Sequence, residues 1–218
     1  MADDGGGAKR RRGAPDRVVA LTDGVFAIVI TILVLELGVP PDLPERPLRE
    51  AIEQTGPELT AWVISFLLVG MYWVWHRDMF VQVRAVNRDV VWLNLLLLLP
   101  ISLIPFAASV LNEYPREAIA LRLYGLVLTA VALLRFAVYA YLMRHPVLLW
   151  QTASPRQRRI GGLLALAPIV VYVAASLVAS VAPVASLVLY LAMPGLYFAL
   201  ITVLRRHPAT RTEADDFS

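Results

Sequence analysis

The chain has 218 residues, of which 58% are apolar and only 17% charged, with a formal net charge of +3; ordinary soluble domains run about 45–50% apolar and about 25% charged. Six apolar stretches each reach the length of a membrane span, which is more apolar surface than a globule of this size buries, and this argues against a water-soluble enzyme. The absence of cysteine removes disulfides, thiol catalysis and thiolate-bound metals.

The pattern predicts an all-α membrane protein with six transmembrane helices. A helix rises about 1.5 Å per residue and the hydrocarbon core is about 30 Å thick, so one span takes roughly 20 apolar residues. Residues 1–16 (MADDGGGAKRRRGAPD) are Gly-rich and basic, and read as a tail that is disordered until it meets anionic lipid. The first span, 18–37, is too long for a signal peptide and lacks a small-residue cleavage site. A Pro-rich acidic loop, 38–57, leads to the second span, 58–76. The third is 90–111, the fourth 119–143, the fifth 162–182 and the sixth 184–204, with Pro183 marking a turn between the last two. Residues 207–218 read as a second disordered tail, which leaves 17–206 as one membrane domain without internal repeats.

Basic residues set the expected orientation. Lys9, Arg10, Arg11, Arg12 and Arg17 precede span one; Arg77, Arg84 and Arg88 follow span two; Arg144, Arg156, Arg158 and Arg159 follow span four; Arg205, Arg206 and Arg211 follow span six. That places 15 on one side, against Arg46, Arg49 and Arg116 on the other. By the positive-inside rule both termini are cytoplasmic.

Ionisable groups inside a span are costly and raise a functional question by default. Asp23 and Glu36 lie in span one, His76 closes span two, Trp92 and Asn94 open span three, and Arg122 and Arg135 fall in span four. Asp23, His76, Trp92 and Asn94, with Thr22 and Arg17, share one layer near the inner leaflet. They can satisfy one another as a polar clasp joining spans one to three, or His76 and Asp23 can sense protons. Glu36 sits at the outer mouth. Arg122 can snorkel outward, whereas Arg135 is deep and needs a carbonyl, a carboxylate or a watery crevice. Pro100, Pro105, Pro168 and Pro194 interrupt apolar helices, which is tolerated where neighbours satisfy the freed carbonyls.

Helical rotation separates a second group. At about 100° per residue, with Asp23 at 0°, Gly24 lies near 100°, Ile28 near 140°, Thr31 near 80°, Ile32 near 180° and Leu35 near 120°. These five form one face, directed well away from Asp23. Such a face either packs on lipid and neighbouring helices, or it lines a pore in which rings of Ile and Leu gate by dewetting.

Other chemistry is missing. GGGAKRRRG lacks the spacing and context of a phosphate-binding loop. Three histidines, two of them at span ends, make no metal site. No TVGYG-like filter or re-entrant pore loop is visible. The basic tail beside a span is a topology signal with lipid contact and not a nucleic-acid surface.

Arg17–Leu37 reads RVVALTDGVFAIVITILVLEL, which resembles the RxxxFSD signature and following GVFAI tract of the transmembrane protein 175 family of potassium channels, in its prokaryotic six-helix branch. Arg17, Asp23 and 24–28 match. Leu21 stands for the family's Phe and Thr22 for its Ser. The likeness continues through YWVWHRD at 72–78 and WLNLLLLLPISLIPF at 92–106. The resemblance implies a homotetrameric channel in the prokaryotic inner membrane with no classical pore loop. Its first helices line the pore, with the constriction at Ile28, Ile32 and Leu35 and with Thr31 and Gly24 lining it where cation preference arises. It also implies that Arg17, Thr22, Asp23, His76, Trp92 and Asn94 pack around the signature. The expected function is passive conduction of K⁺ or another monovalent cation, weakly selective, without cofactor, metal or catalysis. The alternative is a proton-coupled transporter, or a proton-permeable channel, using the Asp23/His76 layer.

Overall fold

In a computed structural model of the chain, residues 5–35, 37 and 56–205 are described. Seven α-helices follow in order among them: α1 (Gly5–Leu35), α2 (Gly56–Phe80), α3 (Arg88–Ser102), α4 (Ile104–Glu113), α5 (Ala118–Arg144), α6 (Pro155–Val178) and α7 (Pro183–Arg205), with one 3-10 turn at Pro146–Leu148. They fall on the six apolar stretches. Pro15–Leu35, Arg88–Glu113, Ala118–Arg144 and Pro155–Val178 are long and apolar enough to cross a membrane, and Pro183–Tyr197 forms a shorter apolar helix. The described residues contain no strand, only an isolated antiparallel bridge between Val83 and Leu149.

Local chemistry sets the ends. Asn87 caps α3, its side chain accepting the Val90 N–H at 3.0 Å, with Asp89 placed favourably in the first turn. Ser154 and Gln157 form a capping box on α6, with Pro155 in its first turn. Pro183 opens α7 in the same way, and residues 179–182 make the turn expected beside it. The stretch predicted as one span at 90–111 is two helices. Pro105 has no N–H to continue the ladder, and the chain breaks at Leu103, whose own N–H turns back to Pro100 O at 3.2 Å. Pro100, by contrast, is accommodated inside α3. The backbone of α1 runs helically back to Gly5 through the stretch expected as a disordered tail. Ala8, Lys9 and the arginines after it are good helix formers, so that path carries little penalty.

The core runs along α5, which packs on α3, α4 and α6; α1 packs on α2 and α3, and α7 on α6 and α2. Leu121, Tyr124, Leu128, Val131, Ala132, Val138 and Leu142 of α5 are all buried. Lipid tails are as apolar as these side chains, so burial alone drives little association in a membrane; close packing and interhelical hydrogen bonds take its place. Both occur here. Tyr190 of α7 donates to Leu121 O at 2.9 Å, Tyr72 of α2 donates to Tyr172 of α6 at 3.2 Å, and Ser65 and Tyr124 share a hydrogen bond of 3.0 Å. At Gly125 a Cβ would collide with the hydroxyls of Ser176 and Tyr190. Gly125→Val is therefore expected to destabilise the bundle by about 1–3 kcal/mol through overpacking, read as a lower midpoint of thermal unfolding in detergent.

The loops 81–87 and 145–154 meet at one end of the bundle. Arg84 N–H donates to Leu148 O at 2.7 Å and Trp150 N–H to Gln82 O at 3.0 Å. Asn87 donates to the Tyr141 hydroxyl at 2.7 Å, and that hydroxyl donates to Asp89 at 2.7 Å. The ends of α2, α3, α5 and α6 are thus tied together.

Candidate functional site

Helix α1 presents two opposed faces. Val18, Thr22, Phe26, Val29 and Leu33 are buried against α2 and α3. With Asp23 at 0°, these lie between about 220° and 300°, opposite the ridge centred near 120°. On that ridge Ile28 is 59%, Ile32 37% and Leu35 77% exposed; Gly24 and Thr31 are exposed as well. Ile28 to Leu35 spans about 10 Å of helix axis. Beside the ridge runs a groove of ≈ 520 Å³ lined by Val25, Ile28, Val29, Ile32, Ser102, Pro105, Phe106 and Ser109. The break at Leu103 shapes its far wall. Thr31 turns its hydroxyl proton onto its own helix, toward Ala27 O at 3.0 Å and Ile28 O at 2.9 Å, which leaves oxygen lone pairs facing outward.

Behind the ridge lies a hydrogen-bonded chain across three helices. Thr22 donates to Val18 O at 2.9 Å and accepts from the Asn94 amide at 2.9 Å. With its nitrogen committed to Thr22, Asn94 offers its oxygen to His76 Nε2 at 2.9 Å, so Nε2 carries a proton. The His76 ring stacks on Phe80 at 4.2 Å, and its Nδ1 has no partner. Thr22, His76 and Asn94 are each 1% exposed or less. The structure brings these three together as one unit. Asn94→Leu removes both interhelical bonds and is expected to lower stability by about 1–3 kcal/mol. Thr22→Ser, which keeps the hydroxyl, is expected to leave the unfolding midpoint nearly unchanged.

Three expected members stand outside that chain. Asp23 does not enter the buried core but lies exposed on the flank of α1, where its carboxylate accepts from the Trp73 indole at 2.8 Å. Trp92 is 56% exposed; two residues before Asn94 on a helix, it faces about 200° away from it. Trp73 of α2, which the sequence reading passed over, supplies the indole instead. Arg17 is exposed. Glu36, the loop 38–55 and the tail 207–218 lie outside the described residues.

Arg135 finds the partner its depth demands. It is 2% exposed. Its guanidinium donates to Leu164 O at 2.9 Å and lies 4.6 Å over the Trp75 ring. Leu164 sits four residues before Pro168, which lies inside α6 and has no N–H to offer that carbonyl. The arginine on α5 takes the place of the missing intrahelical donor, and Trp75 adds a cation–π contact. The described residues hold no cluster of three or more His, Cys, Asp or Glu that could bind a metal.

Comparison with known proteins joins this geometry to a family. Residues 17–105, which contain the ridge, the clasp and the break at Leu103, match the family model described as "Endosomal/lysosomal potassium channel TMEM175". Over this segment the chain is similar to the TMEM175 family. A potassium channel of Streptomyces collinus is 39% identical over 132 residues, covering 59% of this chain and 64% of that one. The human endosomal/lysosomal proton channel TMEM175 is 36% identical over 110 residues, covering 47% of this chain and 22% of that one. The chain thus spans less than two thirds of the length of either. The crystal structure of a homologue, from Chamaesiphon minutus, of the lysosomal potassium-selective channel TMEM175 superposes with a TM-score of 0.70 at 28% identity. That match covers 86% of this chain and 97% of the other. With four described helices long and apolar enough to cross a membrane, this chain is a multi-pass membrane protein.

Proposed function

We propose that this chain is a TMEM175-family protein, the subunit of a passive, K⁺-preferring, weakly selective cation channel, with α1 lining the pore. The chain crosses the membrane six times with both termini in the cytoplasm, α3 and α4 forming one broken span. Four copies surround an axis, each turning Gly24, Ile28, Thr31, Ile32 and Leu35 toward it. The permeant cation is cargo, and the reading needs no cofactor.

The observation that carries this reading is the exposure of Ile28, Ile32 and Leu35 on the one helix whose opposite face is fixed by a buried polar chain. Apolar rings hold a water column only when they part, because nothing on them replaces an ion's hydration shell. Thr31, one turn after Ile28 and directly before Ile32, is the polar side chain in that stretch and the place where cations are told apart. Thr22, Asn94 and His76 hold α1 against α2 and α3, so that its ridge keeps its direction. The relatives named as potassium channels, and the channel structure from Chamaesiphon minutus, support conduction.

A second reading keeps the pore and changes the cargo. The human relative is named a proton channel, and Asp23 and His76 lie within one turn of the ridge's inner end, although they bond to Trp73 and Asn94 and not to each other. Purified protein in a planar bilayer separates the readings. A K⁺ gradient at symmetrical pH sets the reversal potential of a K⁺ channel. A pH gradient sets it for a proton pathway, and saturable flux at fixed voltage marks a coupled transporter.

A further inference from the structure

At the end of the bundle where the loops 81–87 and 145–154 join, a groove of ≈ 440 Å³ opens between α1, the last turn of α2 and the bridge between the two loops. Arg77, Arg84, Asp16, Val81 and Trp150 are among the residues that line it. The Arg84 guanidinium lies 5.8 Å over the Trp150 ring. Neither arginine forms an ion pair with any described residue, and both are exposed. Two guanidinium groups against the single carboxylate of Asp16 leave the groove with one excess positive charge. Its rim is apolar: Val81 is 71% and Trp150 58% exposed. Tryptophan beside arginine is the composition of a membrane interface, where the ring lies at headgroup depth and the cation meets the phosphate layer.

We propose that this groove is a binding site for one anionic phospholipid of the cytoplasmic leaflet. Its phosphodiester is held between Arg77 and Arg84, and an acyl chain runs over Val81 and Trp150. Guanidinium forks match the geometry of phosphate oxygens. The apolar rim selects a lipid over a free anion, because a free phosphate leaves Val81 and Trp150 in water. The site does not depend on the conduction reading, and its test is a binding measurement, so either can fail without the other.

The experiment uses the full chain in phosphatidylcholine vesicles and reads the fluorescence of Trp150 as the difference between the parent and Trp150→Phe. Brominated-chain phosphatidylglycerol is expected to quench this difference signal at lower mole fraction than brominated phosphatidylcholine. Arg77→Gln and Arg84→Gln are each expected to weaken the preference about fivefold, the factor for one basic residue at an anionic surface. Arg159→Gln, on α6 away from the groove, is expected to leave it unchanged. Equal quenching by the two lipids in the parent overturns the site without reference to any variant. So does a preference that survives Arg77→Gln/Arg84→Gln. Abolition of the preference by millimolar inorganic phosphate at constant ionic strength assigns the groove to a free anion and overturns the lipid.

Discussion

Asparagine in place of Ile28 or Ile32 is expected to raise the leak current of the purified protein in planar bilayers by on the order of tenfold, the factor for about 1.4 kcal/mol removed from a barrier. The reasoning is local. The ridge exposes branched aliphatic side chains over about 10 Å of helix, and a hydrated cation passing such rings finds no ligand to replace the water it sheds. An amide supplies that ligand and wets the constriction. Both positions lie outside the buried face formed by Phe26, Val29 and Leu33, so the substitutions spare that packing. Leu35→Asn, at the outer end of the ridge, is expected to act in the same direction. Unchanged current in both the Ile28 and Ile32 variants contradicts the pore assignment.

The second large effect belongs to Arg135 and Pro168. Burying an arginine in a bundle is unfavourable unless it has a partner, and here the partner is a carbonyl that a proline in the next helix leaves without its own donor. Arg135→Met orphans Leu164 O, for which the expected loss is about 1–3 kcal/mol, offset in part by relief of a buried charge. The coupling is the cleaner quantity. Pro168→Ala restores an N–H four residues after Leu164, so Arg135→Met is expected to be less harmful in that background, by about 1–2 kcal/mol in a double-mutant cycle on unfolding free energies. Additive effects show that the arginine serves some other role.

The sequence made the helical plan readable because hydropathy, length and arginine placement act over whole segments. Capping chemistry at Asn87 and Ser154 and the turn before Pro183 are equally local signals. The ridge of α1 was readable from rotation alone, since Gly24, Ile28, Thr31, Ile32 and Leu35 share a face whatever surrounds them. The break at Leu103 was only half visible. Pro100 and Pro105 look alike in the sequence, but one sits inside α3 and the other opens α4. Partners across helices were harder still. Depth predicted that Thr22, His76 and Asn94 share a layer, but depth says nothing of azimuth. Depth alone therefore groups Trp92 with them, although it points outward, and gives no sign of Trp73. Rotation on α3 would have separated Trp92 from Asn94. The tyrosines at 72, 124, 172 and 190 carry no charge to mark them in an apolar span, although a buried phenol also needs a partner. Arg135 and Pro168 each pose a visible problem in the sequence, and only the packing of α5 on α6 shows that they resolve one another.

Cross-linking between copies of α1 tests the central idea most directly, and the lack of native cysteine gives it a clean background. Single cysteines at Ile32 and Leu35 are compared in native membranes under mild oxidation with one at Leu126, which is exposed on α5. The account predicts covalent dimers from the two α1 positions and monomer from Leu126→Cys. Dimers from Leu126→Cys, with monomer at both α1 positions, would place the ridge against lipid and contradict it.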